Sequence, residues 1–286
     1  MQYREIGDLK LSLLGLGTSR LASLGARNSP SAVANLIAAA ADAGVNFIDT
    51  ADTYGSSACE RALGQVLSRR HSDFHIATKA GFTVVDLPRP LRALNQSGKK
   101  VLTHLGRRQN FSATTISRHI DDSLRRLRRE AIDVYFLHEP SIAALRDDDL
   151  MEVLTTAVAS GKIRYLGVSG DDTEMIRAAT CIPEFTVVQT RLPDTRPVPD
   201  SIWNNQGCAV IVNQVRRSTS SPLYEIAQHA GIERGLPPLH LLLRHAAVPP
   251  AVRVVLTGTS NPAHIAQNAA ALSDPITADD KLTPTL

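Results

Sequence analysis

The sequence predicts an α/β fold, a (β/α)₈ TIM barrel with a short N-terminal β-hairpin. First, eight short runs rich in β-forming residues alternate with segments of helical period, which favours a parallel sheet over a sandwich. Second, 286 residues with 43% hydrophobic content suit one barrel with a large core. Third, ionisable residues follow several of the predicted strands. We therefore expect residues 1–286 to form a single domain.

The predicted elements follow this alternation in chain order. A hairpin of residues 2–6 and 9–13, around Gly7-Asp8, comes first and is expected to close the bottom of the barrel. The strand candidates are residues 11–17, 46–49, 74–79, 132–138, 164–169, 185–189, 209–213 and 252–258. The clearest helix candidates are residues 31–43, 58–70, 113–129, 147–160 and 172–179, with Gly44 and Gly161 as stop signals and Ser112 as an N-cap.

Two regions depart from the simple alternation. The segment between Lys79 and Ser112 has no clean period, and a loop of that length after the third strand is a candidate lid. Prolines break the chain after the sixth strand, and Pro237-Pro238 splits the helical stretch before the eighth; the first group is Pro193, Pro197 and Pro199.

Composition excludes several classes of function. A net charge of +3 is too small to indicate a nucleic-acid or membrane partner. The start lacks a signal-peptide pattern and no apolar run is long enough for a membrane span, so we expect a cytoplasmic protein of unspecified oligomeric state.

Cys59, Cys181 and Cys208 show no spacing typical of disulfides or of a zinc site, and His240 and His245 are not at the i, i+4 spacing of paired metal ligands on a helix. No metal site is predicted.

Four ionisable side chains follow three successive predicted strands. Asp49 closes the second strand, Tyr54 lies in the loop after it, Lys79 closes the third and His138 closes the fourth. Because barrel chemistry takes place at the C-terminal ends of the strands, we expect these groups to meet there. Each one alone has a structural explanation, as a cap, a packing ring, a solvated strand end or a core histidine. Together they predict an acid-base site built around a tyrosine.

Six stretches of the chain resemble the aldo-keto reductase superfamily. They are residues 1–18, 46–55 with the motif Asp-Thr-Ala-Asp-Thr-Tyr-Gly, 78–79, 133–138, 161–169 and 258–262. The resemblance covers nearly the whole chain in order. It implies a reductase that uses NADP(H), with NAD(H) possible, on a small aldehyde, ketone or sugar, and it places Asp49, Tyr54, Lys79 and His138 at the positions of the family's catalytic tetrad.

The tetrad suits the chemistry that the resemblance implies. Hydride transfer to a carbonyl leaves an alkoxide that must gain a proton, and the nicotinamide carries only the hydride. Tyrosine, with an ordinary pKa of about 10, can supply that proton near neutrality only beside a cation. Lys79 would be that cation, with Asp49 holding it charged and oriented. His138 would donate a hydrogen bond to the substrate carbonyl.

The resemblance also implies a set of cofactor contacts. They fall on Gly17, Thr18, Asp49, Ser169, Gln189, Asn213, Gly258, Thr259, Ser260, His264, Gln267 and Asn268. Ser169 and Gln189 would hold the carboxamide, but Gly170 replaces a common asparagine and Asn213 replaces an aromatic ring. Many relatives grip the 2′-phosphate of NADPH with cations at positions 258 and 264. Here Thr259, Ser260 and His264 are left, so we expect only a modest preference for NADPH over NADH.

Two other functions stay open at this point. The departures at Gly170 and Asn213 fit a catalytically weak, NADP(H)-binding regulatory barrel, which measurable turnover would exclude. Lys79 could instead be the Schiff-base nucleophile of a lyase, which borohydride trapping without cofactor would reveal. The substrate itself has no recognisable code: Arg20, the loop after Lys79 and the segment after Asn213 would build its pocket.

Overall fold

Eight parallel strands close into a barrel, as the sequence predicts. The computed structural model describes residues 1–22, 30–68, 73–83, 109–192, 207–215 and 221–282. An antiparallel hairpin of β1 (Tyr3–Ile6) and β2 (Leu9–Ser12) precedes the barrel. The barrel strands β3 to β10 pair in sequence order, and β10 closes onto β3. They are Leu14–Gly17, Phe47–Asp49, His75–Ala80, Ile132–His138, Ile163–Ser169, Phe185–Arg191, Ala209–Asn213 and Val252–Gly258.

Helices follow most of the barrel strands. In chain order they are α1 (Pro30–Asp42), α2 (Ala58–Leu67), α3 (Ala113–Leu127), α4 (Ile142–Leu145), α5 (Asp148–Ala159), α6 (Thr173–Thr180), α7 (Pro222–Arg234), α8 (Pro238–Ala247) and α9 (Pro262–Ala271). The Asp147 and Asp172 side chains cap α5 and α6 by accepting backbone N–H bonds. Pro237-Pro238 separates α7 from α8, as predicted. In the described residues, no helix is long and apolar enough to cross a membrane.

The hairpin closes the N-terminal end of the barrel. Its buried residues Ile6, Leu9 and Leu11 pack with side chains inside the barrel, among them Phe47 and Phe136. The hairpin is therefore a plug at this end, and the four predicted catalytic side chains lie at the other end of the strands.

Most predicted elements are present, with shifted ends at a few places. The predicted strand 11–17 is divided at a corner, because Ser12 donates from its backbone to Asn46 Oδ1 at 2.7 Å and from its hydroxyl to the carbonyl of Leu14 at 2.7 Å. The predicted N-cap Ser112 precedes α3, but its hydroxyl donates to Thr115 instead of capping a backbone N–H. Residues 84–108 of the candidate lid and the prolines of residues 193–200 lie outside the described residues.

Strand register aligns the C-terminal ends that carry the predicted site. Gly17 pairs with Asp49 and also with Gly258 across the closing strands. His138 pairs with Ser169, which in turn pairs with Gln189. Residues far apart in sequence thus share one rim of the barrel.

Candidate active site

The four predicted catalytic side chains converge at the C-terminal rim. Asp49 and His138 are the last residues of β4 and β6, and Lys79 is the penultimate residue of β5. Tyr54 comes from the loop between β4 and α2. Asp49, Tyr54 and His138 line one cavity of about 1140 Å³, and Lys79 lies buried beside them.

Lys79 is buried and charged. Its Nζ lies 2.5 Å from Asp49 Oδ1 and 5.3 Å from the centre of the Tyr54 ring. Burial by itself lowers the pKa of the ammonium, but the Asp49 carboxylate and the Tyr54 hydroxyl outweigh it, so the pKa of Lys79 is raised. The side chain is therefore a fixed cation under the tyrosine ring.

The surroundings of Tyr54 shift the pKa of its hydroxyl in opposite directions. Burial raises its pKa most, and the Asp49 carboxylate adds to that rise. Lys79 lowers the pKa of Tyr54 through its charge and a hydrogen bond, as the sequence predicts. The net result is a pKa of Tyr54 above the ordinary value for tyrosine, because burial and Asp49 outweigh the lowering by Lys79. The Tyr54 hydroxyl is therefore protonated and can donate a proton.

Asp49 is held by a chain of buried hydrogen bonds. Gln189 donates from Nε2 to Asp49 Oδ1 at 2.7 Å, and the hydroxyl of Ser169 donates to Gln189 Oε1 at 2.7 Å. Thr18 donates to the Asp49 backbone carbonyl from its own N–H at 2.9 Å and its hydroxyl at 3.0 Å. Three residues predicted to touch cofactor thus also orient the carboxylate that holds Lys79.

His138 presents its ring to the cavity beside an aromatic neighbour. Phe82 packs edge-on against it, with ring centroids 4.9 Å apart and an interplanar angle of 89°. The sequence did not single out Phe82, because it follows β5 in a segment without periodic pattern.

A buried cluster around Glu60 connects two helices to the strand of Lys79. Glu60 of α2 is fully buried and accepts from the Thr78 hydroxyl at 2.7 Å and from Arg126 Nε at 2.6 Å. Thr78 precedes Lys79 on β5 and Arg126 belongs to α3, so this cluster joins α2, α3 and β5.

The cavity extends from the tetrad to the N-terminus of α9. Predicted cofactor residues line this arm: Gly17, Asn213, Gly258, Thr259, Ser260, His264, Gln267 and Asn268. Asn213 Oδ1 is a buried acceptor without a hydrogen-bond partner in the described part of the chain. An orphaned acceptor beside the tetrad and a helix N-terminus at the far end suit an amide and a phosphate, respectively.

His264 is tied to the cap of α9. Asn261 Oδ1 accepts from the Ala263 N–H at 3.1 Å, which orients the amide so that its Nδ2 faces His264 Nε2 at 3.3 Å. The other ring nitrogen lies 3.2 Å from the Thr259 hydroxyl. An amide N–H can only donate, so His264 Nε2 accepts the bond from Asn261.

Two residues at the rim were missed by the sequence. Glu139 and Gln214 directly follow the last residues of β6 and β9, and both line the cavity. Both have left-handed backbones, with φ of 56° and 50°. No sequence signal indicates this conformation, and Pro140 argues against it at Glu139.

Comparison with known proteins identifies the same architecture. The sequence profile described as "Aldo/keto reductase family" matches residues 13–232. The chain is 30% identical to 6-dehydroglucose reductase of Novosphingobium aromaticivorans, over 94% of this chain and 90% of that protein. It is 29% identical to an NADP(+) aldo-keto reductase, yakc, of Schizosaccharomyces pombe, over 65% of this chain but 50% of that protein. The holo form of an aldo-keto reductase from Bacillus halodurans shares the fold, with a TM-score of 0.79, 24% identity and coverage of 98% and 94%.

Proposed function

Since the chain belongs to the aldo/keto reductase family of carbonyl oxidoreductases, we propose that it transfers a hydride between NADP(H) and a small carbonyl or alcohol substrate, with Tyr54 as the acid and base. One observation carries the proposal: buried Lys79 contacts both Asp49 and Tyr54 at the edge of a large cavity. A fixed cation beside a phenol is what proton transfer by tyrosine requires near neutrality.

Each residue of the tetrad has its own role in the proposed reaction. The nicotinamide cofactor, when bound, supplies or accepts the hydride. Tyr54 donates its proton to the oxygen of a reduced carbonyl, and Lys79 stabilises the phenolate that remains. Asp49 keeps Lys79 charged and in place. His138 donates a hydrogen bond to the carbonyl oxygen and stabilises the negative charge that develops there.

The long arm of the cavity would hold the cofactor. Asn213 Oδ1 would accept a hydrogen bond from the carboxamide, compensating in part for the missing side chain at Gly170. Backbone N–H groups at Thr259 and Ser260, before α9, would bind phosphate, as helix N-termini commonly do. Ser169 and Gln189 would contact the carboxamide while keeping their bonds to the Asp49 network.

NADP(H) is the proposed cofactor, with NAD(H) as a weaker alternative. The S. pombe relative carries NADP(+) in its name, which supports this choice. The candidates for the 2′-phosphate are Thr259, Ser260 and His264. Two hydroxyls and one imidazole ring bind a phosphate less strongly than a pair of cations does, so the preference for NADPH over NADH should be modest.

The proposed substrate is a polar carbonyl compound such as a sugar. The relative with 90% of its length matched is a 6-dehydroglucose reductase. Besides the proposed cofactor contacts, the cavity is lined by side chains that can form hydrogen bonds with hydroxyl groups, including Thr53, Glu139 and Gln214. A site of this composition favours a hydroxylated ligand over a hydrocarbon, because its polar groups would otherwise be desolvated without partners.

A carbonyl panel followed by NADPH absorbance tests the function. It should contain ketosugars, hexoses and simple aldehydes, each assayed with the wild type and with Tyr54→Phe. We expect turnover of at least one hydroxylated carbonyl by the wild type only. If the wild type binds NADPH tightly but reduces none of them, the regulatory barrel suggested by Gly170 and Asn213 becomes the better assignment.

The Schiff-base alternative is disfavoured by the state of Lys79. A lysine nucleophile must lose its proton, whereas the partners of Lys79 raise its pKa. Borohydride treatment with a carbonyl substrate and no cofactor should therefore leave Lys79 unmodified, and a trapped adduct on this residue would support the lyase.

A further inference from the structure

Glu139 adopts a backbone conformation that its residue type disfavours. Its φ is 56°, although it is not glycine and Pro140 follows it. A side-chain Cβ disfavours the left-handed region, and a following proline disfavours helical backbone at the residue before it. Two bonds hold it there: its N–H donates to the Ser169 carbonyl at 2.7 Å, and its carbonyl accepts from Gln109 Nε2 at 2.7 Å. Glycine would be less strained, so the retained side chain points to a function.

The left-handed turn places the Glu139 side chain at the catalytic end of the cavity. Glu139 is exposed, follows His138 directly and lines the same cavity. A Cβ built on Gly170 would lie 3.4 Å from Glu139 Cγ and 2.7 Å from Met175 Cε. Gly170 therefore leaves the space beside Ser169 to the glutamate.

The charge of Glu139 is not offset by its described neighbours. It makes no ion pair or side-chain hydrogen bond with any residue in the described ranges. The other carboxylate of the cavity wall, Asp49, is paired with Lys79. Arg20 lies at the other arm, where its Cγ would be 3.7 Å from a Cβ on Gly258. Within the described residues, Glu139 thus places a carboxylate without an ion-pair partner next to His138, the proposed carbonyl-binding residue.

We propose that Glu139 is a specificity-determining residue that excludes carbonyl substrates carrying a carboxylate or phosphate. Like charges a few ångströms apart repel in a partly enclosed site, whereas neutral hydroxyl groups donate hydrogen bonds to the same carboxylate. The substrate class that fits is a neutral or cationic polyhydroxylated carbonyl. This inference rests on the proposed function, because it concerns the substrate of that reaction.

A matched hexose series tests the proposal. Glucosamine, glucose and glucuronate share one carbon skeleton and differ in charge, and kcat and KM are expressed per concentration of the open-chain aldehyde so that the charges can be compared. For the wild type, kcat/KM should fall on going to the anion, mainly through KM, because the repulsion acts in the ground state and the transition state alike. Glu139→Gln should raise the ratio of kcat/KM for glucuronate to kcat/KM for glucose on the order of 10-fold. In 1 M salt, this ratio should differ less between the wild type and the variant.

Two further variants separate charge selection from structure. Glu184→Gln removes the charge of an exposed glutamate before β8 and should leave the ratio unchanged. Glu139→Gly should lose the discrimination while its Tm stays equal or rises, because glycine relieves the left-handed strain. The inference is overturned if the wild type has equal kcat/KM for the three hexoses, or if Glu139→Gln has the same glucuronate-to-glucose ratio of kcat/KM as the wild type. In either case, turnover of the neutral sugar would still uphold the proposed function. Absence of all turnover overturns both.

Discussion

At the residue scale, the central feature is a tyrosine whose proton affinity is set by burial and two charged neighbours. Burial and Asp49 raise the pKa of Tyr54, and Lys79 lowers it. In the proposed reaction, reduction would use the protonated phenol and oxidation the phenolate, so the same balance would govern both directions. Substitutions at these positions should therefore change the pH dependence as well as the rate.

Removing the hydroxyl should abolish most turnover. Tyr54→Phe should lower kcat by a factor on the order of 10² to 10⁴, because general acid catalysis is lost while the ring is retained. NADPH affinity, measured by fluorescence titration, should change little. Activity close to that of the wild type would remove Tyr54 from the acid's role.

Removing the cation should shift alcohol oxidation to higher pH. Lys79→Met deletes the one neighbour that lowers the pKa of Tyr54, so a higher pH is needed to form the phenolate. The matched control is Lys162→Met, since Lys162 is also paired with an aspartate, Asp121, at 2.7 Å but on the surface. The readout is the pH profile of kcat for oxidation, and an unshifted profile in Lys79→Met would contradict the pairing.

At the scale of elements, we expect the N-terminus of α9 to set the cofactor preference. His264 can contact a 2′-phosphate through Nε2 only if Nε2 gives up the bond from Asn261. The other candidates are the hydroxyls of Thr259 and Ser260, so we expect a modest preference for NADPH over NADH.

Dissociation constants for NADPH and NADH check that expectation. His264→Ala should reduce the preference for NADPH. Asn261→Ser keeps an N-cap oxygen but frees His264 Nε2, so it should increase the preference. A large preference for NADPH that neither substitution changes would indicate Arg216 or Arg217, which lie outside the described residues.

The hairpin should contribute to stability without contributing to catalysis. Leu11 is fully buried in the plug at the end opposite the tetrad. Leu11→Ala should lower the free energy of unfolding by about 2 to 5 kcal/mol, through lost burial and a residual cavity. Denaturant unfolding measures the loss, and kcat at a temperature where both proteins are folded should be unchanged. Leu236→Ala, at a position that is 41% exposed, is the control.

At the scale of the whole molecule, one network ties the plug to the barrel. Asp133 on β6 accepts from the Ile76 N–H at 2.8 Å and from Arg164 at 3.0 Å, and its Oδ1 lies 3.2 Å from His75 Nδ1. Arg164 also donates to Asp8 of the hairpin turn at 2.6 Å. The network therefore connects three strands of the barrel to the hairpin.

This network predicts part of the acid sensitivity. Burial raises the pKa of Asp133, but bonds from His75, the Ile76 N–H and Arg164 outweigh it and lower the pKa overall. The folded protein then binds fewer protons at this site, so the stabilisation is present above the unfolded pKa of about 4 and is lost as pH falls through the lower folded pKa.

Thermal unfolding between pH 2 and pH 7 tests the contribution of Asp133. Asp133→Asn should be less stable than the wild type at neutral pH and should lose less stability on acidification. Asp42→Asn, at an exposed position on α1, should reproduce the wild-type curve. If the wild type and Asp133→Asn lost stability in parallel as the pH fell, Asp133 would not be a source of the pH dependence.

The sequence by itself determined the barrel and predicted which four side chains gather at its rim. Strand period, loop residues and the motif around Asp49 and Tyr54 are local signals, and parallel strands bring their C-terminal ends to one rim whatever the details of packing. The same local logic predicted the plug and the division at Pro237-Pro238.

Only the tertiary structure decided the features that depend on distant neighbours. The corner at Ser12 requires Asn46, the pKa of Tyr54 depends on burial, and the tautomer of His264 follows from the cap at Asn261. The left-handed Glu139 is held by bonds to Ser169 and Gln109 against its own local preference. Sequence patterns report local preference, whereas these properties arise from contacts between segments that are distant in the chain.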